Sequence, residues 1–146
     1  MEKHKKQKFT LQVSSAPENL LTIREFISDI AINAGFDLES AEQIQLAVDE
    51  ACTNVIKHAH RYDIQKTVEI NVKLDSQKME INITDSGKGF DVARVAKPDL
   101  EKYIHEAKKG GLGIHLMRSL MDEVHFNFNP GKKNQVSLVK FFKKSA

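Results

Sequence analysis

Apolar and polar positions recur along the chain with two different periods, and these periods divide it into predicted strands and helices. A period of two predicts a first strand at FTLQVSS (Phe9–Ser15). Ile23 and Ile27 then recur at helical spacing in a segment that has Pro17 near its start and Gly35 as a C-terminal stop. The first third of the chain therefore begins with a strand and continues into a helix.

A second helical pattern follows directly in DLESAEQIQLAVDEACTNVIKHAH. Ile44 and Val48 belong to its apolar stripe. Either Asp37 or Ser40 can cap this helix, and Ser40 with Gln43 has the spacing of a capping box. The pattern predicts two consecutive amphipathic helices.

The second half of the chain contains two predicted hairpins. TVEINVKL and MEINITD are strands joined by DSQK, and VHFNFN and QVSLVKFF are strands joined by PGKKN. Between the hairpins lie the polar segment Ser86–Gly111 and a helix in GLGIHLMRSLMDEV. Long connections of this kind are often functional lids. The order of elements predicts an α+β fold: a two-layer α/β sandwich with a mixed, mostly antiparallel sheet and helices on one face.

Composition and charge limit the function classes. The 146 residues have the length of one domain, and no repeat or linker divides them. A net charge of +2 is too small to argue for nucleic acid, and the basic ends MEKHKKQK and FFKKSA are typical of solvated tails. No signal-peptide core and no apolar run of about 20 residues is present. The prediction is one domain over residues 1–146, with a basic N-terminal tail at 1–8.

The single cysteine, Cys52, excludes an internal disulfide framework and fits a reducing cytoplasm. It lies inside a helical pattern, so a buried packing residue is a better interpretation than a nucleophile. The histidines do not have the spacing of zinc ligands.

The first candidate for chemistry is DEACTN on the second helix. Glu50 and Asn54 are four residues apart and therefore share one helix face. An asparagine oxygen is a hard ligand for Mg²⁺, and a nearby glutamate can accept a proton from a hydroxyl. The alternative is an ordinary solvated pair.

The second candidate is INITDSGKGF, where a strand ends in Asp85. A carboxylate only accepts hydrogen bonds, so it can bind an exocyclic amine such as that of adenine. Gly87 and Gly89 allow a flat ligand to approach the backbone closely. A plain turn has the same composition.

The third candidate is KKGGLGIH, Lys108 to His115. Glycines just before a helix leave its N–H groups open to an anion, and Lys108 and Lys109 add positive charge. A flexible hinge is the alternative.

The three motifs together are much more specific than any one of them. With them, the sequence resembles the GHKL ATPase superfamily, which has the Bergerat ATP-binding fold, and within it the anti-sigma-factor serine/threonine kinases of bacteria. The likeness covers nearly the whole chain, and EACTN…HA and GLGI.L…LMDEV are particularly close.

The resemblance implies a role for each matching residue. Glu50 would be the base that takes the proton from a substrate serine, Asn54 would hold Mg²⁺ against ATP, and Asp85 would bind the adenine amine. Arg24 would lie at the partner-binding surface, and the segment 91–110 would be the ATP lid. The implied nucleotide-binding set is completed by Gly87, Gly89, Lys108, Lys109, Gly110, Gly111, Leu112 and Gly113.

The resemblance also implies partners. The ATP-bound protein would hold a sigma factor until a STAS-type antagonist displaces it and is inactivated by phosphorylation on Ser or Thr. The protein would be a homodimer that binds neither nucleic acid nor membrane directly. One departure concerns the Gly-Thr pair that the family usually has before the last strand. Lys133 and Asn134 stand there instead, although Asn134 can still donate a hydrogen bond.

Three alternatives remain at the level of the sequence. The chain can be a non-catalytic ATP-binding module, in which the nucleotide orders the lid. It can be the detached ATPase domain of a histidine kinase, although a strand, rather than a helix with a phosphoacceptor histidine, precedes its first helix. It can also be a small nucleic-acid-binding α+β protein that uses its basic ends.

Overall fold

The computed structural model of the chain describes residues 6–85, 113–128 and 133–143. In chain order its elements are β1 (Gln7–Ser14), α1 (Asn19–Ala34), α2 (Leu38–Asn54), a π-helical turn (Val55–Ala59), β2 (Thr67–Leu74), β3 (Lys78–Asp85), α3 (Gly113–Leu120), β4 (Glu123–Phe128) and β5 (Asn134–Phe141). The predicted lid at 91–110 lies outside the described residues.

The strands form one five-stranded sheet in the order β1-β2-β3-β5-β4. Every pairing among the described strands is antiparallel. The predicted α+β sandwich with a mostly antiparallel sheet is therefore confirmed. Because β3 is the middle strand, its side chains have neighbours on both sides.

One face of the sheet is apolar, because successive side chains of a strand point to opposite faces and apolar residues occupy alternate positions. Val68, Ile70, Val72 and Leu74 of β2 are buried on this face, and they pair in register with Asp85, Ile83, Ile81 and Met79 of β3. Asp85 is thus the last position of an otherwise apolar row.

The three helices cover this face. Ile27 of α1, Ile44 of α2 and Met117 of α3 are buried in the same hydrophobic cluster as the sheet residues. Among the described residues, no helix is both long enough and apolar enough to cross a membrane.

The junction between α1 and α2 follows from local backbone chemistry. Gly35 ends α1 in the left-handed conformation, with φ of 105°, and the N–H of Phe36 donates to the carbonyl of Ala31 at 3.1 Å. Asp37 then caps α2 by accepting a hydrogen bond from the N–H of Ser40 at 2.7 Å. Of the two predicted caps, Asp37 is therefore the one the structure uses.

Two boundaries differ from the sequence-based prediction. β1 begins at Gln7 and pairs with Leu74 there, so the last two residues of the predicted tail belong to the sheet. The second helix leaves α-helical geometry after Asn54, where five residues form the π-helical turn. This turn positions a residue of the candidate site.

The first prediction concerns Cys52, which is fully buried in α2. Burial raises the pKa of its thiol because it disfavours the thiolate, and the nearby Asp49 carboxylate raises it further. We expect the native protein to resist modification by a thiol reagent such as Ellman's reagent, and one thiol to react upon unfolding in guanidinium chloride. Rapid reaction of the native protein would contradict the buried position of Cys52.

The second prediction concerns the pH dependence of stability. The pKa of Asp37 is lowered from 3.8 to about 2, mainly by hydrogen bonding from Ser40, with Lys143 contributing. A lowered folded-state pKa stabilises the fold above the unfolded pKa, and this stabilisation disappears as the pH falls through about 2. We expect Asp37→Asn to lower Tm at pH 7, with a difference from wild type that shrinks below pH 4.

Circular dichroism melts between pH 2 and pH 7 measure this effect. Asp29→Asn, which neutralises an exposed aspartate on α1, controls for the loss of one negative charge. A pH-independent difference between Asp37→Asn and wild type would contradict the prediction.

Candidate functional site

Asp85 is a buried acid at the end of the central strand. It is 2% exposed and is the last residue of β3. Its register partners are Val68 on β2 and Asn134 on β5. The alternation that places Ile81 and Ile83 on the helix-covered face continues to Asp85, so its carboxylate faces the helix layer. The structure therefore places this predicted residue where a ligand between sheet and helices would meet it.

A buried histidine contacts Asp85. His60 Nε2 lies 2.5 Å from Asp85 Oδ1, and its Nδ1 is hydrogen-bonded to the hydroxyl of Ser15. All three side chains are buried. His60 is one of the histidines that lack the spacing of zinc ligands, and Ser15 is the last residue of the predicted first strand. No pattern in the sequence indicates this cluster, because its members are 45 and 25 residues apart.

The backbone after α2 places His60 in this position. The N–H of His60 donates to the carbonyl of Val55, five residues earlier, at 2.8 Å. This wider turn holds one more residue than an α-helical turn and changes which face the following residues occupy. Arg61 and Tyr62 then adopt left-handed conformations, with φ of 50° and 63°. Non-glycine residues in this region cost about 1–3 kcal/mol each and are concentrated at functional sites.

Glu50 and Asn54 lie at the C-terminal end of α2, one turn apart, as predicted. Asn54 is the last residue of the helix and is 6% exposed, on the same side as buried Ala51. No hydrogen bond joins its side chain to another residue in the described part of the chain. A buried amide with no hydrogen-bond partner among these described residues fits a ligand that this amide would contact.

The neighbouring acids Asp49 and Glu50 have different environments. Arg24 of α1 binds Asp49 with two hydrogen bonds, from Nε to Oδ1 at 2.7 Å and from Nη2 to Oδ2 at 3.3 Å. The hydrogen bond and the charge of Asp49 raise the pKa of Arg24. Glu50 is half-buried, and no cation pairs with it among the described residues. Of the two acids, Glu50 is therefore the one available to accept a proton.

Arg24 remains accessible despite this contact, because 40% of its side chain is exposed. A guanidinium group has five N–H donors, and the contact with Asp49 uses two of them. A partner carboxylate can therefore approach Arg24 without breaking the ion pair. This accessibility is compatible with a partner surface.

The third predicted motif is described only in part. Gly113 is the first residue of α3, so a helix does begin at the predicted glycines. The other predicted members of the set lie outside the described residues: Gly87, Gly89, Lys108, Lys109, Gly110, Gly111 and Leu112. Asn134, which stands at the position of the expected threonine, begins β5 directly opposite Asp85.

The donor set fits magnesium better than a transition metal. The described residues contain no cluster of three or more His, Cys, Asp or Glu side chains that could hold an ion. Magnesium needs few protein ligands, because it keeps waters and substrate phosphates in its coordination shell. A single amide oxygen from Asn54, with waters and substrate phosphates supplying the other ligands, is consistent with this preference.

Known proteins resemble this chain over most of its length. A profile of the histidine kinase-like ATPase domain matches residues 13–140. A serine-protein kinase RsbW of Bacillus licheniformis is 36% identical over 131 residues, covering 86% of this chain and 80% of that protein. The proteins of the same name from Halalkalibacterium halodurans and Bacillus subtilis are 35% and 32% identical, over 90% and 83% of this chain and 82% and 78% of their own lengths.

A solved structure agrees on the fold. The RsbU and RsbW domains of Rv1364c from Mycobacterium tuberculosis align with a TM-score of 0.68 and 13% identity, over 95% of this chain and 34% of that one. At this identity the likeness shows the fold alone.

Proposed function

This chain belongs to the histidine kinase-like ATPase domain family, among relatives named serine-protein kinase RsbW, and from this membership we propose that it is an ATP-dependent protein serine/threonine kinase and anti-sigma factor. It binds a sigma factor in its ATP-bound form. It phosphorylates a STAS-type antagonist of that interaction on serine or threonine. The protein acts in the cytoplasm as a homodimer.

The observation that carries this proposal is the buried carboxylate of Asp85 beside the end of α2. A carboxylate enclosed at 2% exposure accepts hydrogen bonds from a small number of groups. The exocyclic amine of adenine is a donor of the right kind. Asp85 therefore selects the base, while α2 supplies the groups for the triphosphate.

Phosphoryl transfer depends mainly on positioning and on neutralising charge. Magnesium held by Asn54 would supply part of that neutralisation when bound. Glu50 accepts the proton of the substrate hydroxyl, since it is half-buried and has no cationic partner among the described residues. Loss of this proton makes the hydroxyl oxygen a better nucleophile toward the terminal phosphate.

The partner proteins dock next to this chemistry. Arg24 lies on α1 and reaches Asp49 on α2, the residue that precedes Glu50. A protein bound over Arg24 therefore lies near Asp49, and Asp49 is the neighbour of Glu50 in the sequence of α2. This adjacency supports a shared surface for sigma factor and antagonist, with the antagonist serine delivered toward Glu50.

The third prediction tests the adenine contact. Asp85→Asn places an amide where the carboxylate accepts from adenine, and a mispaired buried group costs about 1–3 kcal/mol. We expect the affinity for Mg-ATP to fall by that amount in isothermal titration calorimetry. Asp75→Asn, in the turn at the other end of the same hairpin, is the matched control and should bind as wild type does. Equal affinities of wild type and Asp85→Asn would exclude the adenine role of Asp85.

The fourth prediction separates catalysis from nucleotide binding. Glu50→Gln removes the base but keeps the size and polarity of the side chain, so phosphate transfer from labelled ATP to the antagonist should fall by about 10²- to 10⁴-fold. Affinity for Mg-ATP should change little. Glu42→Gln, an exposed acid on the same helix, should retain full activity. Undiminished transfer by Glu50→Gln would favour the non-catalytic ATP-binding module instead.

A further inference from the structure

A hydrogen-bonded chain runs from Ser15 through His60 to Asp85, and the function proposed above gives Ser15 and His60 no role. His60 is 2% exposed, Asp85 is 2% exposed and Ser15 is fully buried. Polar groups buried this deeply must find hydrogen-bond partners in the protein or in a ligand, because bulk water does not reach them. The cluster therefore has a definite hydrogen-bonding pattern.

The chemistry of the carboxylate determines the direction of its hydrogen bond with His60. A carboxylate can only accept, so the proton in the contact with Asp85 belongs to Nε2 of His60. In a neutral imidazole Nδ1 is then an acceptor and the hydroxyl of Ser15 donates to it, whereas in a protonated imidazole Nδ1–H donates to the hydroxyl; Nε2 donates to Asp85 in both cases. The tautomer with its proton on Nε2 satisfies both contacts, and hydrogen bonds at both ring nitrogens determine the orientation of the imidazole.

The backbone on each side holds the imidazole in place. The N–H of His60 is bound to the carbonyl of Val55, and the N–H of Ser15 is bound to the carbonyl of Lys66 at 2.9 Å. The two residues after His60, Arg61 and Tyr62, have left-handed backbone conformations. A strained backbone at this point is compatible with a precise position for the side chain before it.

We propose that His60 is a positioning residue for base recognition, and that its Nε2–H orients the carboxylate of Asp85 toward the exocyclic amine of adenine. Ser15 in turn orients His60. The inference rests on the proposed function, because it requires that Asp85 accept a hydrogen bond from adenine. A carboxylate has several lone pairs, so it can accept from His60 and from a ligand amine at the same time.

This role predicts a loss that depends on the amine of the base. Without its histidine partner the carboxylate is oriented less firmly, and the hydrogen bond to the amine weakens. A nucleotide that lacks only the amine should be affected much less. Purine riboside 5′-triphosphate is such a nucleotide, and its comparison with ATP isolates the contact at Asp85.

The test measures the affinity of both magnesium nucleotides for a set of matched variants. His60→Met removes the donor and keeps an unbranched side chain that packs well. His60→Gln retains an N–H donor at a similar reach. Ser15→Ala removes the second link of the chain. His125→Met is the control, because His125 is exposed and its Nε2 lies 3.1 Å from Glu123 Oε1 on β4.

We expect His60→Met to weaken ATP binding by about tenfold to a hundredfold, the effect of one mispaired buried hydrogen bond. Its binding of purine riboside triphosphate should change little. His60→Gln should recover most of the ATP affinity, Ser15→Ala should lose a smaller part, and His125→Met should match wild type. An equal loss for both nucleotides, or equal behaviour of His60→Met and His60→Gln, would reduce His60 to a structural role and overturn the proposal.

Two further observations keep the inference distinguishable from the proposed function. If wild type binds both nucleotides equally, the adenine role of Asp85 fails, and the inference fails with it. If wild type prefers ATP and His60→Met keeps that preference, only the inference fails. Should His60→Met not fold, the nitrogen-15 NMR shifts of His60 in wild type give the answer: a proton on Nε2 supports the proposal, and a neutral imidazole with its proton on Nδ1 overturns it.

Discussion

A carboxylate enclosed between a sheet and a helix layer is the constraint around which this fold is organised. Removing such a group from water costs several kcal/mol unless hydrogen bonds replace those it made with solvent. Asp85 is 2% exposed at the end of the middle strand. The chain meets this requirement with side chains from distant segments, which explains why a buried histidine and a buried serine accompany the acid.

Helix α2 presents its side chains to two different surroundings because of its period. Successive residues on a helix point about 100° apart, so Asp49 and Glu50 face different surroundings although they are adjacent. Asp49 pairs with Arg24 across the α1–α2 contact, whereas Glu50 and Asn54 lie one turn apart along the helix. The proposed partner surface and the proposed chemistry therefore share one helix. A partner that shifts this helix end would change both.

The sequence predicted the parts of the site that depend on short-range periodicity. The alternation through Ile81 and Ile83 reaches Asp85, and a spacing of four joins Glu50 to Asn54. Motif resemblance added the expected role of each. These signals lie within a single strand or a single helix, so a reader of the sequence can recover them without knowing the tertiary structure.

The histidine cluster was not predictable in the same way. The apolar stripe of the second helix continues past Asn54, and it gives no sign that the backbone widens into a π-helical turn there. That turn decides where His60 points. The contact with Ser15 joins residues 45 apart, and it exists only because β1 pairs with β2. The sequence likewise does not distinguish between Asp37 and Ser40 as the helix cap, since both have suitable side chains.

The topology of the sheet also sets the order in which a ribosome can complete this site. Asp85 belongs to β3, but one of the two neighbours of β3 is β5, which ends at Phe141. At a synthesis rate of about 5–20 residues per second, the intervening stretch takes roughly three to eleven seconds to make. During that interval a growing chain exposes the unpaired edge of its central strand, so an unfinished polypeptide would depend on chaperones, or on the exit tunnel itself, to protect that edge.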